Sequence, residues 1–239
     1  MTKPQKLTLG IGIAALVTAI AAQAVPGLPG WLLAWTSLSC TISAGAYVAN
    51  RPQAYGKRDG RLVWWRALPT AVFVGAFRIA CAMMRWWRGR PVKSQITSHL
   101  WIAGRIEAGE LPDVDFVVDL VSEFPEPRAV RERAGYRSLP VLDGGVPPDD
   151  DAVLALLDEV SLPDAAVLVH CDSGMGRAPT FGALLLLRRG DAATTADAIA
   201  MIERERPFIH LGVADRAFLA RLEPLVRPLA VEPAAAAAF

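Results

Sequence analysis

A run from Leu7 to Asn50 that lacks any Asp, Glu, Lys, Arg or His sets the first limit on what this chain can fold into. Leu7 to Val25 is long enough to cross a bilayer as a helix, since about 20 apolar residues span the hydrocarbon core. Pro26, Gly27, Pro29 and Gly30 interrupt it, and Trp31 to Ala49 supplies a second stretch of similar length. Two such stretches joined by a tight turn make a transmembrane helical hairpin, expected over residues 1–61. Lys3 and Lys6 precede it, Arg51, Lys57, Arg58, Arg61 and Arg66 follow it, and the turn is uncharged. The positive-inside rule then places both ends in the cytoplasm, as for a multi-pass protein of an inner or plasma membrane. A rival reading makes the first stretch a signal peptide, with Ala22-Gln23-Ala24 as its cleavage site, and the second a stop-transfer segment. Both readings leave the later chain cytoplasmic. Uncharged runs of this length argue against a third reading, two buried helices of a soluble protein.

Residues 62–92 are more ambiguous. Ala67 to Met84 is apolar except for Thr70 and Arg78, and Trp64-Trp65-Arg66 and Arg85-Trp86-Trp87-Arg88 bracket it. Tryptophan beside arginine is the composition of a membrane interface. Arg78 near the centre would be costly in a lone spanning helix. The segment therefore reads as a helix lying on or dipping into the cytoplasmic face. A third span is the alternative, and it would carry the rest of the chain to the opposite side.

Charge and cysteine content exclude more than they assign. The 239 residues hold 25 Lys+Arg against 24 Asp+Glu, a balance that points to no nucleic-acid partner. Cys40, Cys81 and Cys171 are an odd set without paired spacing, which argues for a reducing compartment over a disulfide framework. Three scattered histidines with no close Cys/His spacing argue against a zinc site, so no metal or other cofactor is expected.

From Ser94 the pattern becomes that of a soluble α/β domain, expected over residues 93–228, with 229–239 as a disordered Pro/Ala-rich tail. Leu100 to Ala103, Phe116 to Val121, Tyr136 to Leu142 and Ala165 to Val169 read as strands, the second and fourth apolar throughout as buried strands are. Asp149 to Val160, Thr180 to Arg189, Ala193 to Arg204 and Asp215 to Leu225 read as helices. Thr180 to Arg189 is nearly all apolar and hence central. Strands alternating with helices predict a mainly parallel sheet flanked by helices.

The segment His170-Cys171-Asp172-Ser173-Gly174-Met175-Gly176-Arg177 joins the last predicted strand to that central helix. Five residues between Cys171 and Arg177 allow a tight loop whose successive backbone N–H groups converge on one point. Gly174 and Gly176 permit positive φ and close backbone approach. Such a nest at a helix N-terminus suits a phosphate dianion. Arg177 can close it with two parallel hydrogen bonds to phosphate oxygens. The same field favours a thiolate on Cys171, placed to attack phosphorus and form a phosphocysteine intermediate. Asp172, Ser173, Gly174, Met175, Gly176 and Arg177 are thus the expected phosphate-binding residues.

The leaving oxygen needs a proton from another loop, because the cradle faces the phosphate. Asp143, in Leu142-Asp143-Gly144-Gly145-Val146-Pro147-Pro148, leaves a strand into a Gly/Pro turn able to overhang the pocket. It is expected to act as general acid, then as base for the attacking water. Asp149, Asp150 and Asp151 compete for the role but look like acidic first-turn residues of the next helix.

These residues resemble the signature of the protein-tyrosine-phosphatase superfamily, His-Cys-x5-Arg, in its small dual-specificity branch. The likeness extends over roughly Ser94 to Val226. Trp101-Ile102-Ala103-Gly104 resembles the family's opening strand and Val118-Asp119-Leu120 its second. Leu139-Pro140-Val141-Leu142-Asp143 is similar to the acid-bearing segment, and Glu205-Arg206-Pro207 to a late helix-ending element. The resemblance implies a metal-independent phosphatase fold with Cys171 as nucleophile, Arg177 as phosphate binder and His170 supporting the cysteine. One position departs: where the branch has Ser or Thr after the arginine, here stands Ala178. The form Gly-Met-Gly-Arg-Ala-Pro is similar to that of plant glucan phosphatases, so alanine does not by itself mean inactivity.

The expected activity is hydrolysis of a phosphomonoester at the membrane's inner face, on a phosphoprotein or a singly phosphorylated lipid. An acid at Asp172 would repel the extra phosphates of a polyphosphoinositide. The competing class is a slow or inactive module that binds phosphorylated ligands, for which Ala178 speaks.

Overall fold

The computed structural model describes residues 3–133 and 135–226; the predicted tail at 229–239 lies outside them. Helices α1 (Lys3–Ala24) and α2 (Leu28–Val48) form the expected antiparallel pair. The turn between them needs glycine at Gly30, where a Cβ would sit 2.0 Å from the Val25 carbonyl oxygen. The hydroxyls of α2 are satisfied locally. Thr36 and Thr41 donate to carbonyls four residues back, and Ser37 Oγ donates to Ala15 O of α1 at 2.8 Å. Among the described residues, the helices long and apolar enough to cross a membrane are Gln5–Ala24 and Trp64–Arg88; α2, expected as the second span, is not one of them.

Beyond α2 the chain turns back into the α/β body. A 3-10 turn at Pro52–Tyr55 leads to a hairpin of β1 (Lys57–Arg58) and β2 (Arg61–Leu62). Its two turn residues, Asp59 and Gly60, both have positive φ, as a tight hairpin requires. Lys57 is not the exposed flanking charge that the sequence predicts. Its ammonium is buried and sits 2.6 Å from both Asp119 Oδ2 and the Val121 carbonyl. The chain then leaves through α3 (Trp64–Ala67) and a 3-10 turn at Leu68–Thr70, and returns along α4 (Ala71–Arg88). Ser39 of α2 accepts the Phe73 amide, satisfying one of the unpaired N–H groups at the start of α4.

Both ends of this excursion rest on the same body. Glu126 N donates to Gly60 O at one end, and Arg85 pairs with Asp172 at the other. Phe73, Phe77, Cys81 and Arg85, four residues apart, form the stripe of α4 that meets the protein. Phe77 stacks between Phe73 and Phe124. Ile79, Met83, Trp86 and Trp87 face outward, with Trp86 86% exposed.

The domain is α/β, with five strands in the order β3-β4-β7-β5-β6. These are β3 (Lys93–Thr97), β4 (Leu100–Ala103), β5 (Phe116–Val121), β6 (Tyr136–Val141) and β7 (Val167–His170). All pairings are parallel except the edge pair β3–β4. The sequence reading finds every strand of this sheet but β3, whose Lys-Ser-Gln-Ile-Thr has no buried face to leave a pattern. Short α5 (Arg128–Arg131) precedes β6. Helices α6 (Asp150–Val160), α7 (Arg177–Arg189), α8 (Thr195–Glu205) and α9 (Val213–Leu222) complete the domain. α7 is buried from Arg177 to Leu187, which is why its sequence is apolar on all sides. It starts three residues before the predicted Thr180, so Arg177 is its first residue.

Removing one partner of a buried ion pair strands the other. Lys57→Ala is therefore expected to lower stability by about 3–5 kcal/mol. Denaturation of the detergent-solubilised full chain measures this, and a loss within error of an exposed Arg58→Ala control would show that Asp119 does not need its ammonium.

Candidate active site

The loop from Cys171 to Gly176 is held from three sides. Arg105 N donates to Asp172 O at 2.9 Å from beyond β4, and His210 N donates to Met175 O at 2.7 Å from the loop before α9. Arg206, 1% exposed, donates through Nε to Gly174 O at 2.7 Å and through a terminal nitrogen to Ser173 O at 3.3 Å. Its guanidinium stacks on Phe208, and burial lowers its pKa to about 10. Gly174 has φ +65°, and a Cβ there would lie 2.6 Å from the backbone of Ala103 and Gly104. Only glycine fits this position.

The structure brings Cys171, Arg177 and Asp143 together. Cys171 is 1% exposed and its Sγ accepts from Gly174 N at 3.2 Å. Arg177 is 5% exposed, and its guanidinium donates to Val141 O at 2.7 Å, to Leu120 O at 3.4 Å and to Glu123 Oε2 at 3.2 Å. Its other terminal nitrogen lies 3.4 Å from Asp143 Oδ1. Burial alone would ease proton loss from Arg177, but Glu123, Asp143 and Cys171 around it keep it charged. Asp143 stands at the end of β6, its side chain 21% exposed. Two of its three rivals are engaged elsewhere, Asp149 Oδ1 capping α6 at Ala152 N and Asp150 pairing with Arg221, and Asp151 lies in the first turn of α6.

Glu123 is absent from the sequence reading. Fully buried, it accepts from Arg177, from Asp143 N at 2.9 Å and from the Tyr47 hydroxyl at 3.2 Å. A buried carboxylate that gathers three donors fixes all three. Nothing in its local sequence marks it, since its partners come from β6, α7 and α2. Asp172 also differs from expectation. Its carboxylate pairs with Arg85 at 2.6 Å, so its charge is matched within the protein and does not stand ready to repel a ligand.

Behind the loop lies a second buried cluster. His170 Nε2 is 3.9 Å from Asp119 Oδ1 and 3.8 Å from Glu126 Oε1, too far for hydrogen bonds. Burial first, partly offset by Asp119, lowers the His170 pKa and keeps the ring neutral. Burial, reinforced by Asp119, pushes Glu126 up to about 8. Burial opposes ionisation of Asp119 too, but the Lys57 ammonium first, with the Tyr136 hydroxyl, outweighs it and lowers its pKa. Ligand atoms of Asp119, Glu126 and His170 lie within 4.8 Å of one another, a spacing that could hold a metal ion. Lys57 already supplies the positive charge there. An open cleft lined by Arg58, Arg61, Arg131, Arg137 and Glu159 lies elsewhere and includes none of the loop's residues.

Residues 106–213 match the family model described as "Swiss Army Knife protein, DSP-PTPase phosphatase domain". No curated protein matches the chain. Among solved structures, Tk-PTP in the active form is 26% identical, covering 56% of this chain and 97% of its own, with a TM-score of 0.48. Human DUSP28 is 19% identical over 57% of this chain and 95% of its own, at 0.46. PTPMT1 in complex with PI(5)P is 17% identical over 57% and 97%, at 0.48.

Glu126 gives the pH dependence a sign. Its pKa is raised in the fold, so the folded chain holds a proton that the unfolded chain releases between about pH 4.5 and about 8. Stability is therefore full below that window and falls across it, by at most roughly 1.4 kcal/mol per pH unit. Glu126→Gln is expected to flatten that decline. Melting temperatures taken across the window would refute the assignment if the variant and the parent fall in parallel.

Proposed function

We propose, for a chain whose residues 106–213 are a dual-specificity-type phosphatase domain of the protein-tyrosine-phosphatase superfamily, that it is a membrane-anchored phosphomonoester hydrolase working through a phosphocysteine. The observation that carries this reading is that the Arg177 guanidinium pairs with the Asp143 carboxylate and has Cys171, held by the loop amide of Gly174, among its electrostatic neighbours. In the first step the Cys171 thiolate forms a bond to phosphorus as the phosphorus–oxygen ester bond breaks. Asp143 gives its proton to the departing oxygen, and Arg177 with the loop amides takes the charge on the phosphoryl oxygens. In the second step Asp143 takes a proton from water as the water oxygen bonds to phosphorus and the sulfur leaves as thiolate. His170 supports the cysteine from within the core.

The anchor is the hairpin of α1 and α2, with residues 62–92 lying on the same face of the membrane as the catalytic domain. Two observations support that placement. The excursion of α3 and α4 begins and ends on the domain, as a dipping segment must. The cationic residues lie at the ends of the hairpin, which favours a cytoplasmic domain.

A second reading, a module that holds phosphorylated ligands without rapid turnover, has one observation behind it. Ala178 is fully buried where a hydroxyl would aid sulfur departure. The nearest hydroxyl in sequence, Thr180, is bound to Gly176 O and Asp215.

Assays of the detergent-solubilised chain on an aryl phosphate separate these. Vanadate-sensitive, EDTA-resistant turnover is expected, abolished by Cys171→Ser. Asp143→Asn should slow it by about 100-fold, the usual scale of a general acid, and Asp149→Asn should leave it nearly unchanged. Equal effects of the two would unseat Asp143. Rapid-mixing experiments should show a burst of aryl alcohol before a slower steady state, and Ala178→Ser should raise the steady rate. Phosphate binding without any burst would support the binding module.

A further inference from the structure

The helix that walls the phosphate loop is also the one that exposes the densest tryptophan face. On the inner stripe of α4, Cys81 lies beside the Asp172 carboxylate and Arg85 is ion-paired with it. Just beyond, guanidinium nitrogens of Arg88 and Arg90 come within 3.5 and 3.4 Å of the Met175 sulfur. Three cations from the C-terminal end of α4 and the residues after it thus border the loop on both its Asp172 and its Met175 side. On the outer face Ile79, Met83, Trp86 and Trp87 are 64%, 64%, 86% and 82% exposed. Tryptophans backed by arginines seat a helix at the headgroup level of a bilayer, its apolar side about 5–10 Å deep. A helix with its side chains is about 10 Å across. The phosphate loop then lies about one helix diameter from the plane in which α4 is immersed.

From this we infer that the substrate is a lipid phosphomonoester taken from the bilayer, with Arg85, Arg88 and Arg90 as the rim that receives its head group. A lipid phosphate at that level reaches the loop by moving along the surface, without leaving the membrane. Arg85 is the specificity residue. Asp172 holds its guanidinium at the mouth, with its side chain 36% exposed, so it can contact an incoming anion while still paired. A phosphopeptide would meet the same cations but gains nothing from the exposed tryptophan face, and has to approach across a surface occupied by lipid. The inference rests on the catalytic reading above and commits the same site to one substrate class.

The test uses the full chain reconstituted in phosphatidylcholine vesicles doped at a few mole per cent with phosphatidic acid, phosphatidylglycerol-phosphate or a singly phosphorylated phosphatidylinositol. A soluble phosphotyrosine peptide is the competitor and an aryl phosphate reports the chemistry alone. At least one lipid should exceed the peptide in kcat/KM by about tenfold or more. Arg85→Ala should cut lipid kcat/KM by about tenfold, mainly through KM, and Arg85→Lys should restore part of it. Trp86→Ala/Trp87→Ala, at exposed positions, should raise the lipid KM. Hydrolysis of the peptide as efficiently as every lipid, with aryl phosphate turned over, would overturn the inference and leave the catalytic reading intact. Lipid kinetics unchanged in both Arg85→Ala and the double tryptophan variant would do the same. Failure to turn over the aryl phosphate would sink the catalytic reading, and this inference with it.

Discussion

A guanidinium taken out of water must be paired on several sides or the fold will not tolerate it. Arg177 meets that demand with carbonyls at the ends of β5 and β6 and with the carboxylates of Glu123 and Asp143. The requirement orders everything near it. The strand order β7-β5-β6 puts those carbonyls beside the loop that follows β7. α7 begins at Arg177 and is packed so deeply that the guanidinium has nowhere else to go. Glu123 then extends the network to Asp143 N and to Tyr47 at the end of α2. One buried carboxylate therefore joins Arg177, the turn that carries Asp143 and the helical hairpin.

That junction means the hairpin is more than a tether. Tyr55 is fully buried and stacks with Phe73, Asn50 donates to Val146 O three residues past Asp143, and Leu142 packs with Tyr47 and Tyr55 in one apolar cluster. The hydrophobic surface that positions the Asp143 turn is thus built partly from residues N-terminal to the domain. Residues 106–213, the part that matches the phosphatase family, contain the chemical groups but not all the contacts that hold them. Excising the domain near residue 93 would expose Leu142 and leave Glu123 without Tyr47.

How much of this could be read in the sequence follows from how local each feature is. The loop from His170 to Arg177 is legible because its chemistry is written in consecutive residues between a buried strand and a buried helix. Asp143 is legible because a strand runs into a Gly/Pro turn there. Glu123 and Arg85 are not, since their roles arise only when β5, β6 and α4 come together; Arg85 and Asp172 are 87 residues apart. Lys57 misled for a related reason. Beside Arg58 and Arg61 it reads as one more cation flanking a span, yet the hairpin turns it inward onto Asp119, and no local pattern distinguishes a buried lysine from an exposed one.

The same logic explains why the 62–92 segment is so hard to place by composition. Helices that cross a membrane and helices that lie on it share length, hydropathy and tryptophan content, and Trp64–Arg88 qualifies on each. What separates them is where their ends attach, which is a tertiary fact. Here the preceding hairpin plugs one side of the domain through Lys57, and Arg85 closes on the loop at the other. With both ends fixed to one body, α4 lays its inner stripe on that body and turns its apolar outer face away from it. An arginine at position 78 is then no anomaly. It is exposed, off the inner stripe that meets the protein.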